Sequence, residues 1–243
     1  MGKDSTSMLY LARQALGNVK FPVIHIDNGN EFPESYEYRD KVAEALGLNL
    51  IVEKSRIKHD DISGISCCGA NKTDALKNVI KKEGFDAIIV SIRWDEHGIR
   101  GMERYFSPRD REFKWNVYNP DKGRFGEALQ DSEFVNWGIT VSDFGENVNH
   151  VRIHPILHWR EADVWNFIKE RDIPINPLYF SVNGKRFRSL GCKSCTVAID
   201  SSATDIDQII AELESTNRKE REGRAQDKEE TYVMERLRAL GYM

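Results

Sequence analysis

The chain has 243 residues, 40% of them hydrophobic, with five tryptophans and a formal net charge of −4. That is enough chain to bury a core in one large domain, or in a domain with a small appendage. No apolar run approaches the length of a membrane span, and the acidic balance argues against broad nucleic-acid affinity, although local basic clusters can still hold phosphates. A cytoplasmic enzyme is the expectation.

The first residues, Met1-Gly2-Lys3-Asp4-Ser5-Thr6, run directly into a helical pattern over 5–16, with Met8, Leu9, Leu11, Ala12 and Leu16 apolar and Gly17 as the stop. A glycine, a cation, a carboxylate and two hydroxyls at a helix N-terminus suit an anionic phosphate, because free N–H groups and the dipole face it. Asp4 or Ser5 acting only as a helix cap fits the same residues. Phe21 to Ile26 predicts a buried parallel strand, ending at Asp27-Asn28-Gly29 where a ligand-facing turn would sit. Glu34 to Leu46 predicts a helix closed by Gly47, and Leu48 to Val52 the next strand. A loop over 55–70 precedes a helix over 72–82, and Asp86 to Ile92 is the clearest buried strand. This β–α alternation predicts an α/β fold with a doubly wound, mostly parallel sheet.

Residues 95–150 are rich in charge and turn formers and predict an irregular excursion over the site. A strand over 151–156 follows, then a helix opening at Trp159-Arg160-Glu161-Ala162-Asp163 and running to about Arg171, and a short amphipathic helix over 205–214. Trp159, Val164, Trp165 and Ile168 read as core. His154 and His158 are separated by Pro155, which argues against a shared helix face. The expected organisation is a domain over 1–200 and a charged helical tail over 201–243. A phosphate loop of this kind ordinarily hangs from the end of a strand. None precedes Gly2, so the first strand is expected to be missing, with Met1 marking a truncation.

The four cysteines form two pairs, Cys67-Cys68 and Cys192-x-x-Cys195. In a reducing compartment such pairs favour metal or redox chemistry over structural disulfides.

Taken in order, several stretches resemble the adenylyl-sulfate branch of the ATP pyrophosphatase superfamily, which holds sulfate adenylyltransferase small subunits and the adenylyl-sulfate and phosphoadenylyl-sulfate reductases. They are Gly2-Lys3-Asp4-Ser5, His25-Ile26-Asp27-Asn28-Gly29, Tyr36-Glu37-Tyr38-Arg39-Asp40, Arg93-Trp94-Asp95-Glu96 and Arg104 to Asp110. Pro155 to Trp159, Arg188-Ser189-Leu190-Gly191-Cys192 and Glu220-Arg221-Glu222-Gly223-Arg224 continue the series. The superfamily loop reads Ser-Gly-Gly-x-Asp-Ser, and its opening Ser-Gly is absent here. The 93–114 segment and the tail ending in Gly241-Tyr242 look closest to the adenylyltransferase small subunit. That resemblance implies ATP and Mg²⁺ as cofactors, sulfate or adenylyl sulfate as substrate, and a separate GTPase large subunit, since this sequence holds no GxxxxGK[ST] loop. A homo-oligomer is the alternative assembly.

The cysteines resemble instead the [4Fe-4S] site of the reductases, with Cys67, Cys68, Cys192 and Cys195 as ligands. Four thiolates also suit structural zinc, although adjacent cysteines are an awkward source of two tetrahedral corners, and thiol pairs without metal remain a third reading. The reductases attack sulfur with a further cysteine in a C-terminal tail. The tail here has none, which disfavours that mechanism. Two rivals to the adenylyltransferase stay open: a cluster-bearing reductase or sulfur-transfer enzyme using an external thiol, and a non-catalytic nucleotide-binding subunit.

By resemblance, Gly2, Lys3, Asp4, Ser5, Thr6, Asp27, Gly29 and Arg93 bind nucleotide, with Lys3 and Arg93 catalytic. Asp27 orients ribose or magnesium, or merely caps its turn. Arg93 follows a buried strand and meets a phosphate or sulfate. Asp95 and Glu96 pair with Arg100 and Arg104 in a solvated loop, or bind metal. Arg104, Arg109, Arg221 and Arg224 are weaker phosphate candidates; the last two close over phosphates or face a partner subunit, with exposed helix charges as the plainer reading.

Overall fold

The computed structural model describes residues 1–55, 72–96, 100, 103–115, 147–216 and 220. Its elements run α1 (Lys3–Leu16), β1 (Val23–Asp27), α2 (Pro33–Leu46), β2 (Leu50–Lys54), α3 (Asp74–Glu83) and β3 (Ala87–Ile89). Then follow β4 (Phe106–Arg109), β5 (His150–Ile153), α4 (Glu161–Glu170), a 3₁₀ turn (Pro177–Tyr179), β6 (Lys185–Phe187), β7 (Ala198–Asp200) and α5 (Ile206–Ser215). Local chemistry sets several boundaries. Pro33 opens α2 with a preset φ, and Gly47 ends it in the left-handed region at φ 59°, where a side chain would be strained. Asp163 accepts the Arg160 N–H at 2.7 Å and braces the first turn of α4; Asp205 accepts the Gln208 N–H at 2.9 Å and starts α5.

The fold is α/β. β1–α2–β2 is one crossover unit whose strands pair in parallel from Val23↔Leu50 to Asp27↔Lys54. β3 pairs in parallel with β5, and β4 lies antiparallel on the other side of β5, Phe106 opposite Ile153. β6 and β7 make a small antiparallel ribbon. The sheet is therefore mostly parallel where the sequence reading places strands, but β4 is a correction: a strand stands inside the segment expected to be irregular. Its Phe-Ser-Pro-Arg sequence hides it, since Pro108 removes a ladder donor, a loss tolerated on an edge strand such as this.

A second correction concerns burial. The strands over 21–26 and 86–92 are expected to be buried. Every residue of β1 is only partly buried, and β3 is shorter than expected, with Ile89 39% exposed. Among the described residues no ladder joins β1 to β3. Between them lies an apolar cavity of about 510 Å³, lined by Val23, Ile24, Ile88 and Val90 and floored by Met8 and Leu9 of α1. Among the described residues β1 pairs only with β2 and β3 only with β5.

The main core sits under α4. Val164, Trp165 and Ile168 are fully buried with Ile173, Tyr179, Ala203 and Ile209, and α5 packs on α4. A second cluster joins Leu9 of α1 to Val19, Tyr38 and Val42. No helix among the described residues is long and apolar enough to cross a membrane.

Candidate functional site

The start of α1 lies beneath the chain that leaves β3. Gly2 is the cap residue, extended at φ −102°, and no side chain caps the helix, so neither Asp4 nor Ser5 does so. The Lys3 N–H donates instead to the Tyr179 hydroxyl at 2.9 Å. A β-carbon on Gly2 would come within 3.2 Å of that oxygen, which accounts for glycine there. After β3, Val90 N–H donates to the Ile153 carbonyl and Trp94 N–H to the Leu157 carbonyl, both at 2.8 Å. These bonds tie Val90 and Trp94 to Ile153 and Leu157 and deliver Arg93 to the helix start.

Lys3 and Arg93 both have fully buried side chains. Lys3 Nζ lies 2.5 Å from Glu220 Oε1, 3.7 Å from Glu161 Oε1 and 3.8 Å from Asp4 Oδ2, and donates to the Arg188 carbonyl at 3.1 Å. The Arg93 guanidinium spans three carboxylates: Asp4, Glu220, and Asp95 at 3.0 Å. Asp95 also accepts the Glu161 N–H at the head of α4, 2.7 Å away, and Arg188 pairs with Glu161 at 2.8 Å. Burial alone would push both cations toward neutrality; the surrounding carboxylates outweigh it and raise their pKa values, so each stays charged. Glu220, whose burial opposes ionisation, is held well below the usual carboxylate range by Lys3 and Arg93. Carboxylate oxygens of Asp4, Glu96 and Glu220 all lie within 4.8 Å of one another, an oxygen set of the kind a hard divalent cation accepts. Chemically, this is a buried cluster in which two cations at a helix N-terminus are held by carboxylates.

A family model described as the phosphoadenosine phosphosulfate reductase domain matches residues 1–198, a span that includes Lys3, Arg93 and Glu161. The chain belongs to that reductase-domain family. Similar proteins include "Sulfate adenylyltransferase subunit 2" of Saccharophagus degradans, 33% identical over 287 aligned residues, and the protein of the same name from Sulfurovum sp., 34% identical over 279. In both cases the match covers 100% of this chain and 88% of the relative. Among solved structures, Candida glabrata FMN adenylyltransferase in complex with FAD and inorganic pyrophosphate superposes with a TM-score of 0.50. The superposition covers 79% of this chain and 52% of that one at 17% identity, and bears on the fold.

Within this reductase-domain chain the other sequence-predicted residues lie apart from the Lys3–Arg93 pocket or at its edge. Ser5 Oγ is 3.2 Å from Ser91 Oγ. Thr6 is fully buried; its hydroxyl donates to the Gly2 carbonyl and accepts from Tyr38, both at 3.0 Å, so it braces the loop. Asp27 accepts from the Gly29 N–H at 2.8 Å and the Tyr36 hydroxyl at 2.7 Å, a turn at the carboxyl end of β1. Partial burial pushes Asp27 up, but those bonds prevail and leave its pKa lowered.

Arg104 donates to the Glu103 carbonyl at 3.0 Å. Arg109 is fully buried and reaches both Glu103 carboxylate oxygens at 3.0 Å, in a basic cluster with His150 and Arg152. Its neighbours Arg111, Glu112 and Lys114 are exposed, as a solvated run should be. Glu96 pairs with Arg100 as expected, but it is buried and not in a solvated loop, while Asp95 pairs with Arg93.

Cys192 and Cys195 share one turn, closed by the Cys195 N–H donating to the Cys192 carbonyl at 3.0 Å. That turn is held against the loop after β1 by Lys193 N–H donating to the Asn30 carbonyl at 2.7 Å and by Asn30 donating to Ser194 Oγ at 2.9 Å. Cys67, Cys68, Arg221 and Arg224 lie outside the described residues. Sequence reasoning assigned no role to Glu161, Arg188, Glu220 or Tyr179. Arg188 and Glu220 stand in stretches that carry the resemblance but received no role of their own; only the fold brings positions 3, 93, 161 and 220 together.

Proposed function

We propose that this chain transfers the adenylyl group of ATP to sulfate, forming adenylyl sulfate and pyrophosphate, as the smaller subunit of a cytoplasmic sulfate adenylyltransferase. Full-length similarity to proteins named sulfate adenylyltransferase subunit 2 supports the reaction. The single observation that carries it at the residue level is the convergence of two buried cations, Lys3 and Arg93, on the N-terminus of α1. A sulfate oxygen attacks the α-phosphorus, a new phosphorus–oxygen bond forms, and the bond to the bridging oxygen of pyrophosphate breaks. Charge grows on the leaving group, and cations fixed in a water-poor pocket stabilise it without reorganising. Lys3 and the Arg93 fork bind the leaving phosphates, and Asp95 orients the fork through its bond to Arg93 Nε. Gly2 lets the loop backbone approach closely. Mg²⁺, when bound, offsets phosphate charge, and Asp4 and Glu96 would hold it, since this ion takes one or two carboxylates alongside substrate phosphates.

A [4Fe-4S] cluster belongs to the same reading as a second cofactor. Cys192 and Cys195, on one turn, fit half of a four-thiolate ligand set, and Cys67 and Cys68 would complete it. The name "subunit 2" of the relatives supports a partner subunit, and the GTPase large subunit implied by the family resemblance is the partner in this reading. The test is isotope exchange. Purified anaerobically with that partner, the chain is expected to move labelled pyrophosphate into ATP only when sulfate is present, and to carry iron and sulfide in equal amounts. Sulfite formation from adenylyl sulfate and an external thiol, without exchange, would overturn the assignment in favour of a reductase. Absence of iron would remove the cluster.

A further inference from the structure

Glu220 sits where a ligand would. Its carboxylate is nearly fully buried and bridges the two cations, Oε1 receiving Lys3 Nζ at 2.5 Å and Oε2 receiving the Arg93 guanidinium. A phosphate group placed on the same cations would present two oxygens to the same two donors. The pocket's charges sharpen the point. Leaving aside Glu96 and Arg100, which pair with each other, Lys3, Arg93 and Arg188 face Asp4, Asp95, Glu161 and Glu220, three cations against four carboxylates. Without Glu220 the count is three against three, so the one carboxylate that bridges both cations also supplies the excess negative charge. Its neighbours have anchors of their own: Asp95 is tied to the head of α4, and Glu161 is paired with Arg188. Glu220 lies beyond the segment the family model matches, and among the described residues it pairs with Lys3 and Arg93.

We propose that Glu220 is a built-in anion that fills the phosphate position of the Lys3–Arg93 pocket, and that a polyphosphate ligand enters by displacing it. The proposal rests on the phosphate reading of this site. It sets a selection rule: a ligand must bring an anionic group able to satisfy both cations, which a polyphosphate does and a nucleoside does not. Glu220 stays ionised across the working pH range, so substitution, not acidification, is the way to release the pocket.

The experiment is calorimetric titration of the full chain with inorganic pyrophosphate and Mg²⁺, for wild type, Glu220→Gln and Glu220→Asp. Glu220→Gln keeps the shape and removes the charge, and is expected to tighten binding by at least about 10-fold, the order a charge-assisted hydrogen bond carries. Glu220→Asp keeps the charge but cannot reach both cations, and is expected to tighten binding by about 3-fold on the same reasoning; it serves if the glutamine variant fails to fold. Equal or weaker binding in the folded variants would overturn the proposal and make Glu220 a residue that positions the cations. Binding by none of the three folded proteins would overturn the phosphate reading of the site, and this proposal with it.

Discussion

Lys3 and His154 illustrate opposite uses of a buried titratable side chain. Lys3 keeps its charge because carboxylates surround it, whereas His154 is buried in the neutral form. Its Nδ1–H donates to the Arg104 carbonyl at 2.7 Å, and among the described residues no hydrogen-bond partner meets Nε2. Burial lowers its pKa from 6.5 to about 4; the nearby Arg109 and Arg152 push the same way, while Glu103 opposes them. The unfolded chain therefore binds a proton more readily than the folded one between those values. The stability this group contributes is complete above pH 6.5 and is lost as the pH falls toward 4. Between pH 6.5 and pH 5 the loss is about 2 kcal/mol from this residue. Urea unfolding of wild type and His154→Asn at pH 7.5 and pH 5.0 checks it: wild type is expected to lose about 2 kcal/mol more than the variant. An equal loss in both would mean the imidazole is not buried neutral.

At the scale of elements, α4 positions the site from below. Trp165 packs edge-on against Tyr179, ring centres 5.3 Å apart, and the Tyr179 hydroxyl accepts the first N–H of α1. Trp165→Ala is expected to cost about 3–5 kcal/mol, measurable as a lower urea midpoint, because a fully buried indole leaves a cavity. A loss below about 1 kcal/mol would place Trp165 outside the core. The same elements show what sequence can convey. α2 was legible because Pro33 and Gly47 punctuate a periodic stretch, and Val164, Trp165 and Ile168 read correctly as core. β4 was not, because its pairing with β5 is tertiary and Pro108 reads as a breaker. β6 and β7, three residues each, are too short to show a period. In the site, Lys3 and Arg93 were legible since each follows a readable element or motif. Glu161 and Glu220 were not, because carboxylates in charged stretches look alike until the fold selects which ones face a buried cation.

At the scale of the molecule, two parallel strand pairs flank an apolar cavity, and the charged pocket forms where α1 meets the chain leaving β3 and the head of α4. Contributions from residues 3, 93, 161, 188 and 220 make that pocket a product of the whole fold and not of a local motif. The central claim is that this pocket receives the phosphates of ATP. A crystal structure of the full chain with inorganic pyrophosphate and Mg²⁺ tests it most directly. The account predicts phosphate oxygens within hydrogen-bonding distance of Lys3 Nζ and the Arg93 guanidinium, with the Glu220 carboxylate moved off both. Pyrophosphate bound elsewhere, with Lys3 and Arg93 still paired to Glu220, would contradict it.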